Sequence, residues 1–187
     1  HIYNKTLGVY VAAPQPSAPV NQMAVSGAGW IDFTDGGKLI ASINPNGQDL
    51  GSTDVQAFIH NGAVRNNTMQ YYHNRNITIK PTNTNLADSV SVRFYFLDSE
   101  TELLINATGC SNCTKPSSAY GLGVSKFSSN DDNLENGSLA DNTGGLWSYI
   151  VPANAVKVPL DRGYYAEFKV KDFSEFWLNN GGANNLQ

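Results

Sequence analysis

The sequence predicts an all-β fold, and three observations carry that prediction. Short apolar runs with period-two alternation follow one another along the chain. Turn formers punctuate them, with 17 Gly, 8 Pro and many Asn, while charged residues make up only 15% of the chain. Only one segment breaks the alternation in favour of a helix. Strand after strand at short spacing with a single helix reads as an antiparallel β-sandwich, Ig-like or jelly-roll-like.

Each element follows from its residues. Val9-Tyr10-Val11 reads as an opening strand, and Ala13-Pro14-Gln15-Pro16-Ser17-Ala18-Pro19 as an extended connection along a sheet edge, so residues 1–28 form an N-terminal strand and Pro-rich connection. Trp30-Ile31-Asp32-Phe33 and Lys38-Leu39-Ile40-Ala41-Ser42-Ile43 flank Asp35-Gly36-Gly37, a hairpin signal. Asn44-Pro45-Asn46-Gly47 makes a turn. Val55, Ala57 and Ile59 share one face of a further strand, His60-Asn61-Gly62 turns again, and Tyr71-Tyr72 and Ile77-Thr78-Ile79 supply more strand.

Residues 86–96 form the clearest central strand, with Val90, Val92, Phe94 and Phe96 inward and Ser91, Arg93 and Tyr95 outward. Ser99, with Glu102 three residues on, has the spacing of a capping box, and Leu103, Leu104 and Ile105 follow it. A short helix ending before Gly109 is expected there. Residues 120–127 read as a strand, 128–145 as a polar loop, and 146–151 as a strand. The segment 163–177 reads as a last strand, with Tyr164, Ala166, Phe168 and Val170 on one face and Tyr165, Glu167, Lys169 and Lys171 on the wet face. Phe173, Phe176 and Trp177 at its end read as core and domain-boundary packing. There is no convincing internal repeat. A boundary within 81–88 would leave a first half with too little patterned apolar surface to stand alone, so residues 1–187 are expected to form one module.

The bulk properties exclude several classes. A net charge of −4, with 12 basic residues scattered singly, argues against a nucleic-acid surface. No apolar stretch approaches the roughly 20 residues that span a bilayer. No segment reads as a signal peptide, as in a mature or excised fragment. The two cysteines lie in Gly109-Cys110-Ser111-Asn112-Cys113-Thr114. A Cys-x-x-Cys spacing fits a zinc site, a redox pair or a local disulfide. Zinc needs two further ligands, and only His1, His60 and His73 are on hand. A redox pair opens a helix in a βαβ unit, whereas this motif follows a helix in an all-β chain. In an oxidising compartment a Cys110–Cys113 disulfide stapling the loop is the default.

Several segments together resemble a known family. Trp30 with residues 38–51, Tyr72-His73-Asn74-Arg75-Asn76-Ile77-Thr78-Ile79, and Ser91-Val92-Arg93-Phe94-Tyr95-Phe96 with the helix, the Cys-x-x-Cys and Phe173-Ser174-Glu175-Phe176-Trp177 resemble the β-rich module found upstream of the type IX secretion sorting domain in large secreted Bacteroidetes proteins. The resemblance covers most of the chain from Trp30 onward. It implies a secreted or outer-surface location and neighbouring domains in the same parent protein. It also implies that residues 179–187 begin a linker to a sorting domain. Such modules occur in proteases, glycoside hydrolases and adhesins alike, so the resemblance implies location rather than mechanism.

Candidate chemistry lies in three places. Trp30, Tyr71, Tyr72, Trp147 and Trp177 could stack a sugar ring, whose axial C–H groups pack on an aromatic face, with Asn, Asp and Arg holding the hydroxyls. The Trp residues read more simply as core. Tyr71-Tyr72 is the better case, because neighbouring strand residues face opposite sides and one of them is expected outward. His73, Arg75 and Trp147 complete this candidate site for a polysaccharide or cell-surface glycan.

The loop 128–142 is the densest group of oxygen ligands, with Asp131, Asp132, Glu135 and Asp141 as the carboxylates for calcium. It lacks the alternating acids of an EF-hand, and the simpler reading is a solvated turn-rich loop. A second group, Asn44, Asn46, Gln48, Asp49 and Asp54, reads as turn chemistry.

An N-terminal His1 with a second histidine, His60 or His73, could form the copper brace of a polysaccharide monooxygenase. The surrounding sequence does not resemble those enzymes, and a first-position His is often a tag remnant. No nucleophile-elbow pattern accompanies the histidines, and a glycosidase carboxylate pair usually needs a larger cleft-bearing fold. The expectation is therefore a non-catalytic extracellular module, adhesive or carbohydrate-binding, with a structural spacer as its alternative.

Overall fold

The computed structural model describes residues 7–11, 20–67, 69–142, 144–173 and 175–181, and of Asn21, Gln22, Met23 and Asp132 the backbone only. The Pro-rich connection, His1 and the residues after Gly181 lie outside the described residues.

Two antiparallel sheets face each other. One contains β1 (Val20–Ser26), β4 (Asp49–Ile59), β7 (Arg75–Pro81), β9 (Gly123–Ser128), β10 (Leu146–Ile150) and β13 (Glu175–Asn179). Its spatial order is β1-β4-β7-β13-β9-β10. The other contains β2 (Ile31–Asp35), β3 (Lys38–Asn44), β8 (Val90–Leu97), β11 (Val156–Leu160) and β12 (Gly163–Val170), in the order β11-β12-β8-β3-β2. A small hairpin, β5 (Asn66–Asn67) with β6 (Gln70–Tyr71), lies outside both sheets. The one helix, α1 (Asp98–Ile105), directly follows β8. The fold is the all-β sandwich with a short helix that the sequence predicts.

The core forms where alternation predicts it. Val90, Val92, Phe94 and Phe96 of β8 are fully buried against Ile77 and Ile79 of β7, Val55 and Ala57 of β4, and Phe176 and Leu178 of β13. Residues i and i+2 share a face, so each strand delivers every second side chain to this layer. The β2–β3 turn is Gly36-Gly37, both at positive φ (57° and 76°). This is the two-residue hairpin whose backbone requires φ > 0 at both positions. Cys110 and Cys113 form a disulfide, with Cα atoms 5.4 Å apart.

Several expectations need correction. Val9 forms only a single parallel bridge to Leu39 and is not a strand. Residues 163–177 form two strands, with β12 in the five-stranded sheet and β13 at the middle of the six-stranded one, so the chain changes sheets between Val170 and Glu175. The central strand begins at Val90 rather than at 86, and its outward face is not exposed throughout. Tyr95 and Leu97 are buried there with Val9 and Leu39, beneath Leu7, Leu160 and Tyr165.

The helix cap is also different. Glu100, not Glu102, reaches back, its Oε1 accepting from the Leu97 backbone N–H at 2.9 Å. Leu97 has no polar side chain to reciprocate, so only half of a capping box exists.

Candidate functional site

The outer face of the six-stranded sheet is a second, mixed layer. Register places Glu175 and Trp177 of β13 beside Thr78 and Asn76 of β7, and beside Phe127 and Ser125 of β9. Trp147 of β10 pairs with Phe127 on the same side. Tyr72, Leu139, Trp177 and Trp147 pack together over this face, with the Tyr72 ring 5.6 Å edge-on from Trp177 and 5.9 Å from Trp147. The layer is covered by residues 60–73 on one side and by the 128–145 loop on the other. The sequence marks the end of the first segment, from Tyr71 on, for ligand chemistry and residues 128–142 of the second for metal chemistry.

Glu175 ties the loop down. It is fully buried, and its Oε1 accepts from Trp177 Nε1 at 2.8 Å and from Asn142 Nδ2 at 2.6 Å. Its Oε2 accepts from the Gly137 backbone N–H at 2.6 Å. Burial pushes the Glu175 carboxyl above its usual range; the three donors pull it back, and the nearby Glu135 carboxylate raises it further.

Arg65 closes the other side. Its guanidinium lies 4.8 Å from the centre of the Trp177 ring, Nη1 donates to Gly137 O at 3.0 Å, and Nη2 to Asn74 O at 3.4 Å. Burial lowers its pKa to about 10, against the pull of Glu175, so it stays cationic at neutral pH.

Between these anchors a cleft of about 480 Å³ opens, lined by Arg65, Asn66, Asn67, Leu139, Ala140 and Asn142. Two of its wall residues carry unmet hydrogen-bonding capacity. Asn142 has its amide nitrogen committed to Glu175, and its Oδ1 is buried with no partner; Arg65 Nε is likewise buried and unpartnered. The pattern is wider than the cleft. Every buried side-chain polar atom without a partner, among the described residues, lies in segments 65–76 and 141–142 or at Asn180. These segments meet around β13, since the His73 N–H donates to Leu178 O and Asn142 to Glu175. Buried polar groups in folded proteins are nearly always paired, with protein or with water, so such a concentration marks a place where further partners belong.

The predicted ligand residues sit elsewhere than expected. Tyr71 and Tyr72 do face opposite sides, but neither reaches solvent, with exposures of 1% and 2%. Tyr71 enters the core between the sheets, and Tyr72 enters the covered outer layer. Trp177 is fully buried and Trp147 half-buried, so these rings form a floor rather than an open stacking platform.

His73 and Arg75 are fully buried as well. Arg75 Nε donates to Glu100 Oε1 at 2.9 Å and Oε2 at 3.2 Å, and its Nη2 to Tyr10 O at 2.5 Å. The His73 ring lies 3.1 Å from Thr101 Oγ1 through Nε2, and its Nδ1 accepts from the Arg75 N–H at 3.2 Å. Both ring nitrogens are engaged, which removes His73 as a metal ligand. His60 is half-exposed, and its pKa is lowered by burial and by Arg65, against a backbone hydrogen bond with Ala63.

The loop carboxylates serve local turns. Asp131 Oδ1 accepts from Asn133 N–H at 3.0 Å, Glu135 Oε2 from Ser129 N–H at 2.9 Å, and Asp141 Oδ2 from Asn136 Nδ2 at 2.7 Å. The Asp132 side chain lies outside the described residues. No group of three or more His, Cys, Asp or Glu is placed to hold a metal ion among the described residues. In the second oxygen cluster, turn chemistry holds for Asn44, whose Oδ1 accepts from Asn46 N–H, and for Asp49, whose Oδ1 accepts from Gly51 N–H, whereas Gln48 exchanges hydrogen bonds with the backbone of Asp88, 40 residues on.

Sequence reasoning misses Arg65, Asn66, Asn67, Leu139, Ala140 and Glu175. Only Glu175 left a signal, as an acid sharing a face with Trp177 in an aromatic strand. The others lie in loops or in the two-residue strand β5, without an apolar pattern to mark them, and are placed by contacts distant in sequence.

No helix among the described residues is long and apolar enough to cross a membrane. No family model, curated protein or solved structure matches the chain.

Proposed function

We propose that this chain is a non-catalytic module of a secreted or cell-surface multidomain protein, and that it binds a polysaccharide or cell-surface glycan in the cleft between residues 65–67 and 139–142. The observation that carries this reading is the unmet pair on two residues that line the cleft, a buried donor at Arg65 Nε and a buried acceptor at Asn142 Oδ1. Both residues line the cleft together with Leu139 and Ala140. A sugar hydroxyl that reaches these two groups accepts from one and donates to the other, while Leu139 meets its C–H face. Asn66 and Asn67, on the exposed hairpin, supply the rim. The disulfide suits an oxidising, extracellular setting, and the resemblance to modules exported by type IX secretion in Bacteroidetes points the same way.

Calcium enters this proposal at the 128–145 loop, through Asp131, Asp132, Glu135 and Asp141. The buried, unpartnered Oδ1 of Asp141 favours it. A metal that binds the folded state raises the melting midpoint, so an unchanged midpoint in calcium against chelator removes calcium and leaves the glycan proposal standing.

Retention on insoluble polysaccharides and on a glycan array tests the binding. The wild type is retained on at least one glycan, and an Asn66→Ala/Asn67→Ala variant loses that retention while its melting midpoint holds. The burial of Tyr71, Tyr72, His73 and Arg75 favours a second reading, a spacer that supports a neighbouring domain. No retention of the wild type on any glycan gives the spacer precedence.

A further inference from the structure

The sandwich has four sheet edges, and three carry features that discourage another strand from adding. Strand β1 is broken by two register shifts and by Ala24 at φ 57°. Strand β2 has a register shift between Phe33 and Thr34. Strand β11 carries Pro159, which removes a backbone donor. Strand β10 has none of these. Its five pairs with β9 run in unbroken register, and Leu146-Trp147-Ser148-Tyr149-Ile150 contains no proline and no charge.

Part of the exposed apolar surface lies on and beside it. Leu146 is 78% exposed, and Val151 and Val156 are exposed nearby. A groove of about 570 Å³, lined in part by Ile150, Val151, Val156 and Phe168, lies between this edge and that of the other sheet.

We propose that β10 is the edge through which two copies of this chain pair, antiparallel about a two-fold axis at Ser148. The sequence of the strand is complementary to itself in that arrangement. Leu146 and Ile150 share the core-facing side with Ser148, since Ile150 pairs with Val124 of the core, and Trp147 and Tyr149 share the other side. A two-fold at Ser148 sets Leu146 against Ile150 of the second copy, and Trp147 against its Tyr149. Apolar meets apolar on one side and ring meets ring on the other, the pairs that stabilise adjacent strands. The uncharged strand brings no like charges together. The second copy's Leu146 then covers the groove beside Ile150 and Val151. Such a contact is isologous and closes on itself, so it gives a dimer rather than a filament.

Sedimentation equilibrium of the full chain tests this, over about 1 to 500 µM, where a micromolar association is resolved. A concentration-dependent dimer is expected. Ser148→Lys, which brings two ammonium groups together at the axis, weakens it by about tenfold or more. Val158→Lys, on the protected β11 edge, leaves it unchanged. Melting midpoints of both variants establish that they fold. A wild type that stays monomeric throughout the range, or a dimer indifferent to Ser148→Lys, overturns the proposal.

Discussion

Arg75 and Glu100 join the two sheets through a buried ion pair, Nε to Oε1 at 2.9 Å, with the Arg75 side chain fully buried and that of Glu100 9% exposed. Arg75 opens β7 in the six-stranded sheet, while Glu100 lies in the first turn of α1, which continues β8 of the other. Glu100 also caps that helix through the Leu97 N–H, so one carboxylate fixes both the helix start and the sheet junction. Glu100→Gln leaves a buried guanidinium without a counter-charge, and the expected loss is about 3 kcal/mol in urea unfolding. Replacing both partners with apolar residues, Arg75→Met with Glu100→Leu, costs less than the single change, because no charge is then stranded. A single-variant loss below about 1 kcal/mol contradicts this role.

Tyr71 holds the disulfide loop. Its hydroxyl donates to Cys110 O at 3.2 Å and accepts from the Cys110 N–H. Tyr71→Phe keeps the ring in the core and strands both backbone groups, at an expected cost of about 1 to 3 kcal/mol. Faster amide exchange at Cys110 is the local readout, and unchanged exchange there argues against the clamp.

His73 gives the fold an acid-sensitive step. Burial lowers its pKa from 6.5 to about 4, with Glu100 opposing and Arg75 assisting. The unfolded chain therefore takes up the proton first as pH falls. The stability contributed by neutral His73 is present in full above pH 6.5 and is lost progressively as pH falls towards about 4. The loss amounts to up to about 3 kcal/mol. His73→Gln, which retains one hydrogen-bonding end, flattens the stability profile across that window. A wild-type profile already flat between those values contradicts the assignment.

The strongest local signals in the sequence locate the core. Alternation in β8 names its four core residues, and Gly36-Gly37 names the hairpin turn, because both are set by neighbouring residues alone. The break between β12 and β13 escapes the same reasoning although the alternation holds only as far as Lys171: Asp172-Phe173-Ser174 interrupts it, but nothing local says that the strand beyond joins the other sheet. Tyr72 fails for a related reason. Alternation correctly sends it away from Tyr71, but only the distant 128–145 loop decides that the far side is covered. The Cys-x-x-Cys was legible as a disulfide from its spacing and its all-β setting. The cleft was legible only in part: the sequence marks the loop that supplies one wall but not residues 65–67 of the other, and the contact between them runs through Glu175 and Arg65, whose roles depend on partners far along the chain.

The central claim is that Arg65 and Asn142 meet a glycan at the cleft. Side-chain 15N resonances of Arg65 Nε and Asn142 Nδ2, followed while cellohexaose, xylohexaose and mannohexaose are titrated in turn, test it most directly. Saturable shifts of both resonances with at least one of these sugars, abolished in the Asn66→Ala/Asn67→Ala variant, are the predicted result. Shifts confined to residues away from the cleft, or no shift with any of the three, would contradict it.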